Sequence, residues 1–218
     1  MNYSDSNSTD LDISALSRTQ LRLTLRQRRQ QLSSNDQTSA AQALVTQVLA
    51  SAWSTIPTQT SSTNSRSLAH PEKPTKIALY LSNDGEISPE ELCQLFWQQN
   101  IHCYLPVIQG ETLVFAHYHN ACEWQENQFG IAEPIDPLPV DGLGLDYVFL
   151  PLVGFDKQGG RLGMGGGYYD KTFANKVKGQ APFLIGLAHH CQEVTALPTE
   201  AWDVPLDAIL TPTQNIIC

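Results

Sequence analysis

The segment that most constrains this chain is PLVGFDKQGGRLGMGGGYYDKTF, residues 151–173. An apolar, strand-like run ends at Phe155, and a polar turn follows. Then come Arg161, four glycines within five positions (Gly163, Gly165, Gly166, Gly167), two tyrosines, and Asp170 at the start of a helix-like stretch. Glycines bunched between a strand and a helix let backbone N–H groups approach an anion without side-chain obstruction. A helix start adds partial positive charge, and Arg161 adds a full charge with a fork suited to phosphate oxygens. Asp170 offers a carboxylate to a Mg²⁺ bridging such phosphates. The segment reads as a phosphate or nucleotide site. It is neither common phosphate loop: no Lys-Ser or Lys-Thr follows the glycines, and GxGxxG fails at Tyr168. A plain tight turn is the competing reading.

The rest of the chain narrows the class. Its 218 residues are 41% apolar, enough for a sizeable core in one domain or two small ones. A net charge of −9 disfavours a general nucleic-acid or anionic-membrane binder. No apolar run approaches the ~18 residues of a membrane span, and the polar, acidic start MNYSDSNSTDLD is unlike a secretory signal. Five cysteines without CxxC spacing argue against a disulfide framework or zinc site and for a reducing cytoplasm. Cys93, Cys103 and Cys122 read as small core residues.

Residues 1–13 read as a disordered tail and 14–218 as a single domain, with a flexible Ser/Thr/Pro-rich insertion at about 54–75. Residues 16–32 have helical periodicity, with Leu21, Leu25 and Leu32 on one side. A second helix follows, capped by Ser34, Asn35 or Asp36. Strand Ile77–Leu81 leads to a helix with a capping box of Ser88, Pro89 and Glu91. Residues 102–108 and 112–118 form a hairpin about Gly110-Glu111. Tyr147–Phe155 reads as one buried strand, and Phe183–Leu187 and Ala208–Leu210 as shorter ones. Strands alternating with helices imply an α/β layer fold, largely parallel, with ligands at the strand carboxyl ends.

Arg18, Arg22, Arg26 and Arg29 are spaced four, four and three apart, so they share a helix face. With Arg28 they make five arginines in twelve residues of an acidic chain; a solvated face is the plain reading. Glu86 lies just past a strand, where such sheets bind ligands. The adjacent His189 and His190 would point to opposite faces of a strand, which disfavours chelation.

RLGMGGGYYD preceded by PLVGFDKQGG resembles the signature of the 5-formyltetrahydrofolate cyclo-ligases, or methenyltetrahydrofolate synthetases. LRLTLRQRRQQLS, IALYLSNDGEIS and EAWDVPLDAILTP resemble that family in the same order, so the likeness covers most of residues 16–213. The resemblance implies a single α/β/α domain related to ribose-phosphate isomerase and CoA-transferase folds. It implies ATP-dependent conversion of 5-formyltetrahydrofolate to 5,10-methenyltetrahydrofolate in a cytoplasmic monomer, with Mg²⁺ and without nucleic-acid or membrane partners. It assigns ATP binding to Arg18, Thr19, Gln20, Leu21 and Arg22 and to Arg161, Leu162, Gly163, Met164, Gly165, Gly166, Gly167, Tyr168 and Tyr169. Folate contacts fall on Arg22, Leu81, Glu86 and Met164 through Tyr168. Catalytic roles fall on Arg22, Arg161 and Tyr168, and Mg²⁺ ligation on Asp170 and Asp203. Relatives commonly have Lys where this chain has Arg18, and some have basic residues at Met164 and Gly166, so the loop itself carries less charge here. A non-catalytic folate-binding sensor, or another ATP-dependent ligase or kinase on the same loop, are the alternatives.

Overall fold

The computed structural model describes residues 16–50 and 75–218; the expected N-terminal tail and nearly all of the 54–75 insertion lie outside the described residues. Four α-helices are described: α1 (Arg18–Gln30), α2 (Ser34–Ala50), α3 (Glu90–Gln98) and α4 (Tyr168–Thr172). The strands are β1 (Lys76–Ala78), β2 (His102–Gln109), β3 (Thr112–Tyr118), β4 (Trp124–Glu126), β5 (Ala132–Pro134), β6 (Val140–Asp141), β7 (Tyr147–Pro151), β8 (Gly154–Phe155), β9 (Arg161–Leu162), β10 (Phe183–Leu187), β11 (Ala208–Leu210) and β12 (Asn215–Ile217).

Among the described residues the main sheet has eight strands in the order β12-β11-β10-β7-β1-β2-β3-β6. The five from β11 to β2 run parallel, and β12, β3 and β6 add antiparallel edges. This is the largely parallel α/β sheet that the alternation of patterns implies. Its strands are apolar on both faces. Phe149 and Ile185 pack with Leu44, Leu92 and Phe96 of α2 and α3, while their neighbours Val148, Leu150 and Leu184 pack with Phe155 and Phe173 on the opposite side. That two-sided burial is why these segments read as continuous apolar runs rather than alternating ones.

β1 pairs on one side with β2 and on the other with β7. The chain leaves β1 through α3 in one direction and returns through β7 in the other, so the strand order reverses between β1 and β7. In parallel α/β sheets the crevice beyond the strand carboxyl ends at such a reversal is the usual ligand site. The carboxyl ends here are followed by Tyr80–Glu86 and by Pro151–Leu152.

The structure corrects several local expectations. The run Tyr147–Phe155 is two elements, because the strand ends at Pro151 and residues 154–155 pair instead with Arg161–Leu162. Side chains replace the ladder at the break: Gln192 Nε2 donates to the Leu152 and Val153 carbonyls (2.6 and 3.0 Å), and Arg29 Nη1 to Leu152 O (3.1 Å). The hairpin turn is organised by the buried Asp156, whose carboxylate accepts from the Gln158, Gly160 and Leu197 N–H groups. A β-hairpin therefore intervenes between strand and glycine loop, and α4 is only five residues long, which shrinks the contribution of its dipole. α2 is capped by Ser33, not by a residue within 34–36; Ser33 and Asp36 exchange side-chain–backbone bonds. α3 begins at Glu90 with Pro89 at its cap, and the bond that forms is Glu90 N–H to Ser88 Oγ (3.3 Å). Cys93 and Cys103 are buried, whereas Cys122 is half-exposed. No described helix is long and apolar enough to cross a membrane.

Candidate functional site

A cleft of about 710 Å³ opens at the carboxyl ends of the strands. It gathers segments far apart in the chain: α1, the turn after β1, the hairpin β4–β5, the glycine loop with α4, and residues 200–203.

α1 reaches the cleft because it is pinned over the β8–β9 hairpin. Leu21 and Leu25 pack with Val153, Leu162 and Val194, and a capping box between Ser17 and Gln20 fixes the helix start. Of the residues grouped by resemblance, Leu21 and Leu162 are thus core, and Gln20 caps the helix while Thr19 faces solvent. None of these four lines the cleft, whereas Arg18, Arg22, Arg161, Gly163 through Tyr169, Leu81, Glu86, Asp170 and Asp203 all do.

The arginine face is not a solvated surface. Arg18 holds Asp203 through both guanidinium nitrogens, Nη1 to Oδ2 at 2.5 Å and Nη2 to Oδ1 at 3.0 Å. The hydrogen bond and charge of Asp203 raise the Arg18 pKa against the opposing effect of burial. Burial alone would push Asp203 up, but Arg18 and the Glu200 N–H outweigh it and hold the carboxyl below its usual range. Arg22 donates Nε–H to the Gly163 carbonyl (2.8 Å), which sets its guanidinium against the glycine loop; burial and the neighbouring Arg18 lower its pKa. Arg161, 8% exposed, is paired with Asp170, whose Oδ1 also accepts the Val204 N–H at 3.0 Å. Arg18 and Arg161 are thus balanced by Asp203 and Asp170, whereas the bond Arg22 makes at the loop goes to a neutral carbonyl, which leaves its charge for an anionic ligand.

Gly165 has φ +105° and Gly167 φ +69°, both in the region that L side chains avoid. A Cβ on Gly165 would lie 3.5 Å from Arg22 Cζ, so the loop runs directly beneath that guanidinium.

Glu86, from the turn after β1, lines the same cleft and is mostly buried, with a side chain 11% exposed. Burial pushes its carboxyl up to about 6 despite the opposing pull of Arg29 and a backbone hydrogen bond. Burial and the nearby Glu86 carboxylate raise the Tyr169 phenol well above its usual value. Motifs did not reveal the hairpin that closes this end. Phe129 meets the edge of Tyr168, and Gln128 Nε2 donates to Tyr168 Oη (3.1 Å). Asn127 shapes the tip by accepting from the Phe129 and Ile131 N–H groups, and is itself held by Glu133. The signal available in the sequence was the apolar pair Phe129 and Ile131 on either side of a glycine; the structure leaves both exposed. His189 lies away from the cleft; burial brings its imidazole down to about 4, and it hydrogen-bonds Gly85 backbone.

Among the described residues no three His, Cys, Asp or Glu side chains converge as an ion-holding cluster. Asp170 and Asp203 supply hard oxygens only, suited to a cation that draws most of its shell from phosphate and water.

A model of the 5-formyltetrahydrofolate cyclo-ligase family matches residues 14–212. The chain belongs to this family. It is 51% identical over 142 residues to the 5-formyltetrahydrofolate cyclo-ligase of Haemophilus influenzae, covering 62% of this chain and 74% of that protein. The Escherichia coli K12 cyclo-ligase is 42% identical over 147 residues, 63% of this chain and 78% of that one. The NMR structure of Aquifex aeolicus 5,10-methenyltetrahydrofolate synthetase superposes with a TM-score of 0.71 at 26% identity, over 93% of both chains. The cleft is thus the candidate site of a cyclo-ligase.

Proposed function

We propose that this cleft performs the family's reaction, the ATP-dependent conversion of 5-formyltetrahydrofolate to 5,10-methenyltetrahydrofolate with release of ADP and phosphate, in a cytoplasmic monomer. The observation that carries this reading is the convergence of Arg18, Arg22 and Arg161 on a glycine loop in a cleft that a partly desolvated Glu86 also lines.

A formamide carbon is a poor electrophile because the N5 lone pair delocalises into the carbonyl. Transfer of the γ-phosphoryl group to the formyl oxygen turns that oxygen into a leaving group. N10 then attacks the formyl carbon within the same molecule, loses its proton, and phosphate departs. No protein nucleophile is required. The protein has to align the partners and balance the charge of the moving phosphoryl group. In this reading Arg22 and Arg161 bind phosphate oxygens, Arg18 steadies the site through Asp203, and the bared N–H groups of Gly163–Gly167 complete the cradle. Glu86 accepts hydrogen bonds from the aminopyrimidine edge of the pterin, with Leu81 and Tyr168 against its rings. Asp170 and Asp203 would hold Mg²⁺, which when bound neutralises phosphate charge; each carboxylate retains lone pairs beyond those given to its arginine.

The test mixes the protein with Mg·ATP and 5-formyltetrahydrofolate and follows methenyl absorbance. Product with stoichiometric ADP supports the reading, and tight folate binding without ADP release overturns it in favour of a sensor. Product formed at full rate in excess chelator removes the metal role.

A further inference from the structure

Arg29 lies about two turns along α1 from the cleft-lining Arg22, and its side chain is completely buried. A fully buried guanidinium is costly unless every donor is used. Here the fork joins two features, the turn after β1 and the chain just past β7. Nε donates to the Asp84 carbonyl (2.8 Å), Nη2 to Asp84 Oδ2 (2.8 Å), and Nη1 to Leu152 O (3.1 Å). Nη2 also stands 3.7 Å from Glu86 Oε1 and 3.9 Å from Met164 Sδ in the glycine loop.

The turn it holds is strained. Asp84 has φ +53°, a left-handed conformation for a residue with a side chain, and Gly85 follows at φ +74°. A Cβ on Gly85 would come within 3.2 Å of the Arg29 carbonyl, so turn and helix are in direct contact. Arg26 and Gln30 also bind the Asp84 carboxylate, which is held down at about 2. Asp84 is thereby well compensated without Arg29, whereas Glu86 is not. The titratable or charged groups that face Glu86 are Arg29 from α1, Asp84 in its own turn, Tyr80 after β1 and Tyr169 in α4. Arg29 is the cation in that set.

We propose that Arg29 is a positioning residue for the folate wall: its buried fork fixes the strained Asn83–Glu86 turn, and its charge keeps Glu86 ionised and aimed into the cleft. The inference rests on the assignment of Glu86 to the folate side. The two functions of Arg29 separate by substitution. Arg29→Met removes fork and charge. Arg29→Lys keeps the charge on a single point and loses the fork.

The experiment has two arms. The first needs no ligand: melting temperature is measured against pH for the parent and for Glu86→Gln, and their difference reports Glu86 ionisation. In an Arg29→Met background that step moves to higher pH by about one unit or more, and in Arg29→Lys it stays near its parental position. The second arm measures the dissociation constant of 5-formyltetrahydrofolate, without ATP, from pH 5 to 9. For Arg29→Met the acid-side loss of affinity shifts in the same direction, with about fivefold weaker binding at pH 6 for one unit, approaching about tenfold at lower pH, and recovery toward pH 9. Arg29→Lys weakens binding uniformly with pH. In a double cycle, Arg29→Met adds little to the loss already caused by Glu86→Gln.

A step that stays put in Arg29→Met, with folate affinity of the folded protein unchanged, makes Arg29 scaffold only and overturns the proposal. Additive losses in the cycle do the same. If Arg29→Met does not fold, the cycle is run with Arg29→Lys, and additivity or its absence decides. Parent protein that binds no folate at any pH sinks the folate assignment, while the first arm still decides whether Arg29 governs Glu86.

Discussion

Arg18 and Asp203 lie 185 positions apart in the chain and meet as a bidentate ion pair at the rim of the cleft. Asp203 N–H bonds the Glu200 carbonyl and its Oδ2 accepts the Glu200 N–H, so the pair clamps the 200–203 turn onto the first turn of α1.

Cutting either partner should therefore change the site more than the fold. The pair is partly open to solvent, where such bridges contribute ~0–1 kcal/mol. We expect Asp203→Asn and Arg18→Ala each to cost about that much in stability, with a larger fall in kcat/KM for ATP, about tenfold or more if one charge-assisted bond to the nucleotide is lost. The double variant should lose less than the sum of the two. Asp203 has its carboxyl held below the usual range. Its contribution is accordingly present above the unfolded value near ~4 and disappears as pH falls through the depressed folded value. Denaturant melts between pH 2 and 7, with kinetics at pH 7, check both statements. Strictly additive losses would separate the two residues functionally.

Glu86 has the opposite sign. Its folded carboxyl is raised from 4.5 to about 6, so the folded state binds a proton that the unfolded state has released. Stability falls as pH rises between those two values and stays reduced above them. Replacing the carboxylate by an isosteric amide should stabilise the protein at pH 7 by roughly 2 kcal/mol, and by almost nothing below pH ~4.5. The same Glu86→Gln change should weaken use of 5-formyltetrahydrofolate, a trade of function against stability. Melts at pH 4 and 7 test it; equal gains at both pH values would show that burial does not perturb Glu86 as described.

Much of this was legible in the sequence, and the misses share a cause. The arginine spacing placed Arg18, Arg22, Arg26 and Arg29 on one face correctly, because helical geometry is local. Which of them is exposed depends on the turn at residues 83–86, which arrives from elsewhere, so Arg29 looked like its neighbours. The glycine loop was visible because glycines at Gly165 and Gly167 answer a backbone demand. The break after Pro151 was not, because the groups that end the strand are the side chains of Gln192 and Arg29. Phe129 and Glu133 belong to no short motif, and only the placement of the β4–β5 hairpin over the cleft reveals them.

Leu21 and Leu162 sit inside the two blocks that resemblance associates with ATP, yet both are 1% exposed and packed in one cluster. Truncation of either to Ala should cost about 2–5 kcal/mol. Specific activity of the remaining folded protein should stay near parental. A variant that keeps its melting temperature but loses ATP affinity would place the residue in contact with the nucleotide after all.

The glycine loop offers the sharpest separation of site from scaffold. Gly165 and Gly167 both have positive φ, but their surroundings differ. Gly167 is the N-cap of α4 in a left-handed conformation with open space around it; the nearest atom to an added Cβ is Lys171 Cε at 4.0 Å. Asn tolerates that conformation, so Gly167→Asn should cost under ~1 kcal/mol of stability. Gly165, at φ +105°, lies outside the ordinary left-handed well and beneath Arg22. Gly165→Val there faces a conformational penalty of about 1–3 kcal/mol and puts methyl groups where the phosphate and the Arg22 guanidinium should meet. Because the loop lies outside the three apolar clusters, the chain can shift locally, so the expected outcome is a modest fall in melting temperature with a steep loss of ATP-dependent turnover. Gly167→Asn should retain most of its turnover. Melting curves and steady-state kinetics on the same two preparations decide the matter. If Gly165→Val unfolds the protein while its residual folded fraction turns over normally, the loop is a structural turn, and the phosphates must bind elsewhere in the cleft.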